Sequence, residues 1–323
     1  MYSILHIGNI AGVPQEISKV QRKMGFKSDV LSFDNHPFDY EIDFFYPTKL
    51  PTFLRSFKYI RIIFTSIEKI FHILKISYRY NIFHFHFSSL LPFGLDIPIW
   101  KMLNKKVIIH HHGSDIRYRK EFWMYLNLAD KIIVSTHDLL EWSPNAVWVP
   151  NPISLDNFPF VGIEEKNEFE TINIVHASSN REIKGTEDII KAINELKNEG
   201  YRIKFFLIEN MPHNKAVEYY KKADIIIDWI NYKYGIYGMF SIENMALGKV
   251  IICSIKRNYI NDFFKNIPII NSDPENLKND LKLVIKDYNY RKELSRRSRE
   301  YVEQVHDAEI ITKKILSLYF NGE

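Results

Sequence analysis

Short apolar runs alternate with helix-period segments along almost the whole chain, and that alternation leaves few folds open. The runs are Ser3-Ile7, Ser28-Phe33, Ile82-Phe87, Lys106-His110 and Lys131-Ser135, then Ile172-His176, Arg202-Ile208, Ile225-Asp228, Val250-Cys253 and Ile267-Ile270. Strands buried on both faces and joined by helices belong to parallel sheets, so the expected class is α/β. Pro268 cannot donate to a ladder, which puts the last run at a sheet edge. The clearest helix is Gly185-Lys197. Thr186 is its expected N-cap, Glu187 and Asp188 complement the positive helix start, and Ile189, Ile193 and Leu196 form the buried stripe that Gly200 ends.

At roughly 150 residues per domain, 323 residues make two domains. The boundary falls in the turn-rich segment from Ser143 to about Lys166, where Pro150-Asn151-Pro152 continues neither a helix nor a central strand. Two doubly wound domains facing a central cleft are expected. A hydrophobic fraction of 46% excludes a disordered chain, and the single Cys253 excludes a disulfide framework and a cysteine-based zinc module. A net charge of +4 is too mild to argue for nucleic acid. No stretch reaches the roughly 18 apolar residues of a membrane span. The opening MYSILHIGNIAG has no basic leader and reads as a strand entering a glycine loop, so no signal peptide and a cytoplasmic location are expected.

Open parallel sheets bind ligands at the carboxyl ends of their strands. Four segments lie there. Gly8-Asn9-Ile10-Ala11-Gly12 follows the first run, and its glycines let backbone approach a ligand. His110-His111-His112-Gly113-Ser114-Asp115 ends another, with His110 and His112 on one face by the period of two and His111 on the opposite one. With His84 and His86 nearby, five histidines could supply a zinc site, but no HExxH-type spacing supports it. The favoured reading is a polar pocket wall with His112 and Asp115 aimed into the cleft. Ser178-Ser179-Asn180-Arg181-Glu182-Ile183-Lys184-Gly185 puts two cations before a helix start, which suits a diphosphate better than a merely solvated loop. In Tyr234-Gly235-Ile236-Tyr237-Gly238-Met239-Phe240-Ser241-Ile242-Glu243, Ser241 is the expected cap of a short helix and Glu243 falls in its first turn.

These segments, in this order, resemble the retaining glycosyltransferases of family four, of GT-B fold. The matches are Arg181-x-x-Lys184-Gly185, Ala223-Asp224-Ile225-Ile226-Ile227-Asp228, Ser241-Ile242-Glu243-Asn244-Met245-Ala246-Leu247-Gly248-Lys249-Val250-Ile251, the linker from Val149 to Phe158, and His112-Gly113-x-Asp115. The resemblance implies an acceptor-side domain over 1–155, a donor domain over 156–303, and a C-terminal helix over 304–323 that returns to the first domain. It implies Lys184, Arg181, His112 and Asp115 as catalytic residues. It implies Gly12, Ser178, Ser179, Gly235, Gly238, Met239, Phe240 and Glu243 around a UDP- or GDP-sugar, with no metal. Glu243 matches the second glutamate of the family's Glu-x7-Glu motif, whereas Gly235 stands where the first belongs.

The expected reaction moves a hexose to a glycan or lipid-linked acceptor with retained configuration, in surface polysaccharide or glycoconjugate synthesis. The segment 49–79 carries Lys49, Arg55, Lys58, Arg61, Lys69, Lys75 and Arg79 against the one acid Glu68, interleaved with Phe53, Leu54, Phe57, Phe64, Phe71 and several isoleucines. Such a segment either packs on its sheet or lies on an anionic membrane at the inner face. Two further functions stay open: a non-catalytic sugar-nucleotide or glycan-binding paralogue, suggested by Gly235, and a sugar-nucleotide epimerase.

Overall fold

The computed structural model describes residues 2–34, 41–48, 58–167, 169–231, 235–262, 264 and 266–320, with the side chains of 58–60 and 262 outside that description. Lys49, Phe53, Leu54, Arg55, Phe57 and Tyr234 therefore lie outside it. The chain forms two compact units, Met1–Pro152 with Ala308–Glu323, and Ile153–Asp307.

In the first unit, the described strands are β1 (Ser3–Ile7), β2 (Lys27–Ser32), β3 (Phe44–Phe45), β4 (Ile82–His86), β5 (Lys106–His111), β6 (Lys131–Val134) and β7 (Val147–Trp148). They form a parallel sheet in the order β3-β2-β1-β4-β5-β6-β7. The sheet is buried on both faces for a simple reason: alternate side chains go to opposite helical layers. Leu5, Ile7, Phe83, Phe85, Val107 and Ile109 meet Ile70 and Ile73 of α2 (Lys58–Ser77) and Trp100 of α3 (Ile97–Met102). Ile4, Ile82, Ile108 and Ile133 meet Val13 and Ile17 of α1 (Val13–Lys23), and Ile311, Ile315 and Tyr319 of α12 (Ala308–Phe320). The strands β3 and β7 escape a sequence reading because two residues are too few to show any period.

The second unit's described strands are β8 (Ile172–Ala177), β9 (Ile203–Ile208), β10 (Ile225–Ile227), β11 (Val250–Cys253) and β12 (Ile269–Asn271). They are again parallel, in the order β12-β11-β10-β8-β9. The strand β12 sits at the sheet edge and begins just after Pro268, which stays outside the ladder. Ile189, Ile193 and Leu196 of α6 (Thr186–Asn198) and Leu277, Leu281 and Val284 of α10 (Leu277–Lys286) cover Ile172, Ile174, Ile225, Val250 and Ile252.

Thr186 is not the N-cap of α6. The chain enters from another helical turn, α5 (Arg181–Lys184), and Gly185 joins the two in the left-handed region at φ 69°. No extended capping residue is left, and the Thr186 hydroxyl turns inward to His176 Nε2 at 2.9 Å and Ser178 Oγ at 3.2 Å.

Buried Asp96 fixes the loop that leaves β4. Its carboxylate accepts hydrogen bonds from Ser89 Oγ at 2.7 Å, the backbone N–H groups of Leu90 and Leu91 at 3.1 and 2.9 Å, and Trp100 Nε1 at 2.8 Å. Removing that acceptor leaves several buried donors unpaired at once. Asp96→Ala is expected to lower stability by about 3 kcal/mol, read from urea denaturation.

Candidate functional site

Each sheet reverses its strand order once: between β1 and β4 in the first unit, and between β8 and β10 in the second. Crevices at such reversals, outside the carboxyl ends of the strands, are where doubly wound sheets hold ligands.

In the second unit, Asp228 follows β10 and is fully buried. One carboxylate oxygen pairs with Lys184 Nζ, and the other accepts a 2.6 Å bond from Ser241 Oγ. The Lys184 ammonium also lies 4.8 Å from the Trp229 ring centroid and 5.5 Å from that of Phe240. It is thus fixed in place, with part of its side chain still exposed. Below it, His176 Nδ1 meets the Ile227 carbonyl at 2.8 Å, and burial pushes the imidazole down to about 4. A neutral ring holding Thr186, and through it Ser178, sets the loop that carries Lys184.

The glycine-rich segment ends in α8 (Met239–Ala246), whose first intrahelical bond runs from Ile242 N–H to Gly238 C=O at 3.1 Å. The N–H groups of Met239, Phe240 and Ser241 precede that bond at the positive end of the helix. Gly238, not Ser241, occupies the cap position; Ser241 lies inside the helix with its hydroxyl committed to Asp228. Glu243 likewise lies beyond the first turn and accepts a 2.9 Å bond from His213 Nε2 of α7 (His213–Lys222), which holds the imidazole above its ordinary value. Gly235 has φ 61°, and a Cβ there would sit 2.3 Å from Lys256 Cγ. Both the backbone conformation and the space disfavour a side chain at this position.

Arg181 and Lys184 differ in their settings. Arg181 is half exposed and bound to Glu187 and Glu209, each at 3.0 Å, at the rim of the loop. Ser178 is buried in the loop's hydrogen-bond net, whereas Ser179 is exposed.

In the first unit, Gly12 is buried at φ 72° and immediately precedes α1. The period of two at β5 separates two histidine environments. His111 turns to one face, where Nδ1 and Nε2 donate to Asp115 Oδ2 at 2.6 Å and Glu121 Oε2 at 3.1 Å. Burial opposes its charge, but the two carboxylates outweigh burial and push His111 up to about 9. Asp115 Oδ1 accepts from the backbone N–H groups of His112 and Gly113 at 3.1 and 2.8 Å. Asp115 therefore shapes the loop that carries His112. On the other face, burial pushes His112 down to about 4, and its Nε2 lies 3.0 Å from His86 Nδ1.

A cavity of about 460 Å³ opens beside this loop. Phe87, Phe93, Phe122 and Tyr125 give it aromatic walls, and Asp115 and Arg119 add charge.

No protein-family model and no curated protein matches the chain. Solved structures do match it over nearly its whole length. A glycosyltransferase from Rickettsia africae superposes with a TM-score of 0.69 at 16% identity, covering 98% of this chain and 97% of that one. Anabaena HepE, solved with UDP and glucose, gives 0.66 at 10% identity, covering 98% and 99%. Sucrose-phosphate synthase from Thermosynechococcus elongatus gives 0.65 at 15%, covering 98% of each chain. The chain has a GT-B fold.

Within this GT-B chain, sequence reasoning missed His6, Glu121, Asp228 as the anchor of Lys184, and the pairing of His213 with Glu243. Asp228 carried a usable signal, since it is the first residue past a buried strand. His213 carried none, because its partner lies on a different helix. The Gly235 geometry makes a direct prediction. Gly235→Glu, which restores the motif on paper, is expected to cost roughly 2 kcal/mol or more through strain and overpacking, with no gain in nucleotide binding; thermal unfolding with and without UDP measures both.

Proposed function

We propose that the protein is a retaining glycosyltransferase that moves a hexose from a UDP- or GDP-sugar to a glycan or lipid-linked acceptor. The observation that carries this reading is the Lys184–Asp228–Ser241 assembly at the second sheet's strand-order reversal, where it adjoins the N-terminus of α8. Breaking a sugar–phosphate bond leaves a nucleoside diphosphate that gains negative charge as the sugar becomes cationic. A fixed ammonium and oriented backbone N–H groups stabilise that charge as it forms, without reorganising. Asp228 keeps the ammonium in place while its remaining N–H bonds turn to phosphate. HepE and an alpha-glucosyltransferase have been solved with UDP, the latter at a TM-score of 0.65 and 12% identity over 99% of each chain, which supports the same class of donor here.

On the acceptor side, His112 is assigned to the transferring sugar and Asp115 to holding its loop. The aromatic walls of the first unit's cavity suit the apolar faces of a sugar ring, and Arg119 suits its hydroxyls. We place this acceptor chemistry at a membrane surface in polysaccharide or glycoconjugate synthesis. Helix α2 buries Ile70, Ile73 and Ile76 but exposes Ile63, Phe64, Ile67, Phe71 and Leu74, with Lys75 over the Phe71 ring at 4.2 Å. That helix thus serves its core with one stripe and offers a second, basic and aromatic, to anionic lipid. Among the described residues no helix is long and apolar enough to cross a membrane.

One observation favours a second reading. Gly235 removes a carboxylate expected near the donor sugar, which suits a protein that binds the nucleotide sugar without turning it over.

UDP is expected to raise the melting temperature, and Lys184→Ala to weaken UDP binding on the order of 30-fold, as loss of a charged phosphate contact should; Phe93→Ala leaves it unchanged. Donor consumption with a glycan or lipid acceptor separates the enzyme from the binding protein. For the membrane contact, wild type is expected to co-sediment with anionic liposomes at low salt, and Ile67→Asp with Phe71→Asp to abolish this.

A further inference from the structure

Five imidazoles crowd one face of the first sheet where β1, β4 and β5 end. The alternation that buries Ile4, Ile82 and Ile108 on this face carries His6, His84, His86, His110 and His112 onto it as the strands run on. The parallel register sets His6 opposite His84, and His86 opposite His110. Ring centroids stand 4.4 Å apart for His84 and His86 and 4.3 Å apart for His110 and His112. Three nitrogen–nitrogen contacts link the rings to one another: His6 to His86 at 3.0 Å, His84 to His110 at 3.2 Å and His86 to His112 at 3.0 Å.

A neutral imidazole carries one N–H and one bare lone pair, so each nitrogen–nitrogen contact needs one of each. This rule orders the block into two rows. Gln21 Oε1 accepts from His6 Nε2 at 2.9 Å, which leaves His6 Nδ1 bare. His86 Nε2, 3.0 Å away, must then donate, which leaves His86 Nδ1 bare. In the second row Tyr319 Oη lies 2.5 Å from His84 Nδ1, and His84 Nε2 lies 3.2 Å from His110 Nδ1. His110 Nε2 ends this row buried and with no hydrogen-bond partner among the described residues. An orphaned acceptor is less costly than an orphaned N–H, so the row runs with N–H groups toward Tyr319 and a bare His110 Nε2.

Both rows therefore present lone pairs at the same end of the block, beside His112. We propose that His86, His110 and His112 form a binding site for a divalent transition metal of the zinc type. One nitrogen from each lies within 4.8 Å of the others. Zinc–nitrogen bonds of 2.0–2.1 Å place ligand nitrogens about 3.3 Å apart. His86 Nδ1 and His112 Nε2 are already 3.0 Å apart; a bare His86 Nδ1 makes His112 Nε2 the donor in the free protein, and metal takes that nitrogen as its hydrogen passes to His112 Nδ1. The outer N–H groups are then held by His6 and Gln21 on one row and by His84 and Tyr319 on the other. Metal-bound histidines need this support for ring orientation and basicity. An all-imidazole set selects zinc, copper or nickel over magnesium or calcium. The alternative triad, His6 with His84 and His86, is less suited, because both nitrogens of His6 and of His84 already have partners. The sequence lacks a familiar zinc spacing because two His-x-His pairs on adjacent strands are brought together by register alone.

The test uses full-length protein without a histidine tag, stripped with a chelator and titrated with Zn²⁺ by calorimetry and with Co²⁺ by visible absorption. None of these readouts depends on sugar transfer. The expected result is one Zn²⁺ per chain and the ligand-field bands of nitrogen-ligated Co²⁺. His110→Ala and His112→Ala should each weaken binding on the order of 100-fold, and His72→Ala on α2 should leave it unchanged. If His110→Ala fails to fold by circular dichroism, His112→Ala, at the less buried end, takes its place. Wild-type protein without cobalt bands, or Zn²⁺ affinity indifferent to both ligand substitutions, overturns the site.

Discussion

The candidate donor site depends on one buried carboxylate. Asp228 has no solvent contact, and an unpaired charge in such a place would be expensive. Lys184 and Ser241 bind it from two different elements, so the loop that carries Lys184 and the start of α8 are fixed by one group. The same pairing prepares the site electrostatically. An ammonium that must stay near Asp228 cannot wander into solvent, and its unused N–H bonds face whatever enters beside it. His176 reinforces this as a neutral strut, held uncharged chiefly by its burial and further by the nearby Lys184 ammonium.

The first unit uses histidine in two opposite ways across the thickness of one sheet. On the face with Asp115 and Glu121, His111 is charged and structural: two carboxylates overcome burial. On the other face no carboxylate among the described residues hydrogen-bonds to the stack, and five rings share hydrogens in rows. Adjacent residues of one strand thus occupy opposite charge states because consecutive side chains point to opposite faces.

Much of this was legible in the sequence, for reasons that can be named. Ser3-Ile7 and Val250-Cys253 read as strands because isoleucine, leucine and valine on both faces admit little else. The opposed faces of His111 and His112 followed from strand period alone. The caps were misread. Thr186 and Ser241 have the residue types that cap helices, yet both spend their hydroxyls on buried partners from other strands and loops. Backbone glycines, Gly185 and Gly238, took the positions instead. Residue type predicts what a side chain can bond, whereas tertiary contact decides what it does bond. For the same reason the crowding of His6 with His84 was invisible, since it comes from register between strands far apart in sequence.

The central claim is that a nucleoside diphosphate docks on the loop and helix start gathered by Asp228. Hydrogen–deuterium exchange with saturating UDP reads this directly. Slower exchange is predicted in peptides covering 178–186 and 238–243, with β9 and α10 of the same unit unchanged. Full occupancy by UDP with those two segments exchanging as in the free protein would contradict the account.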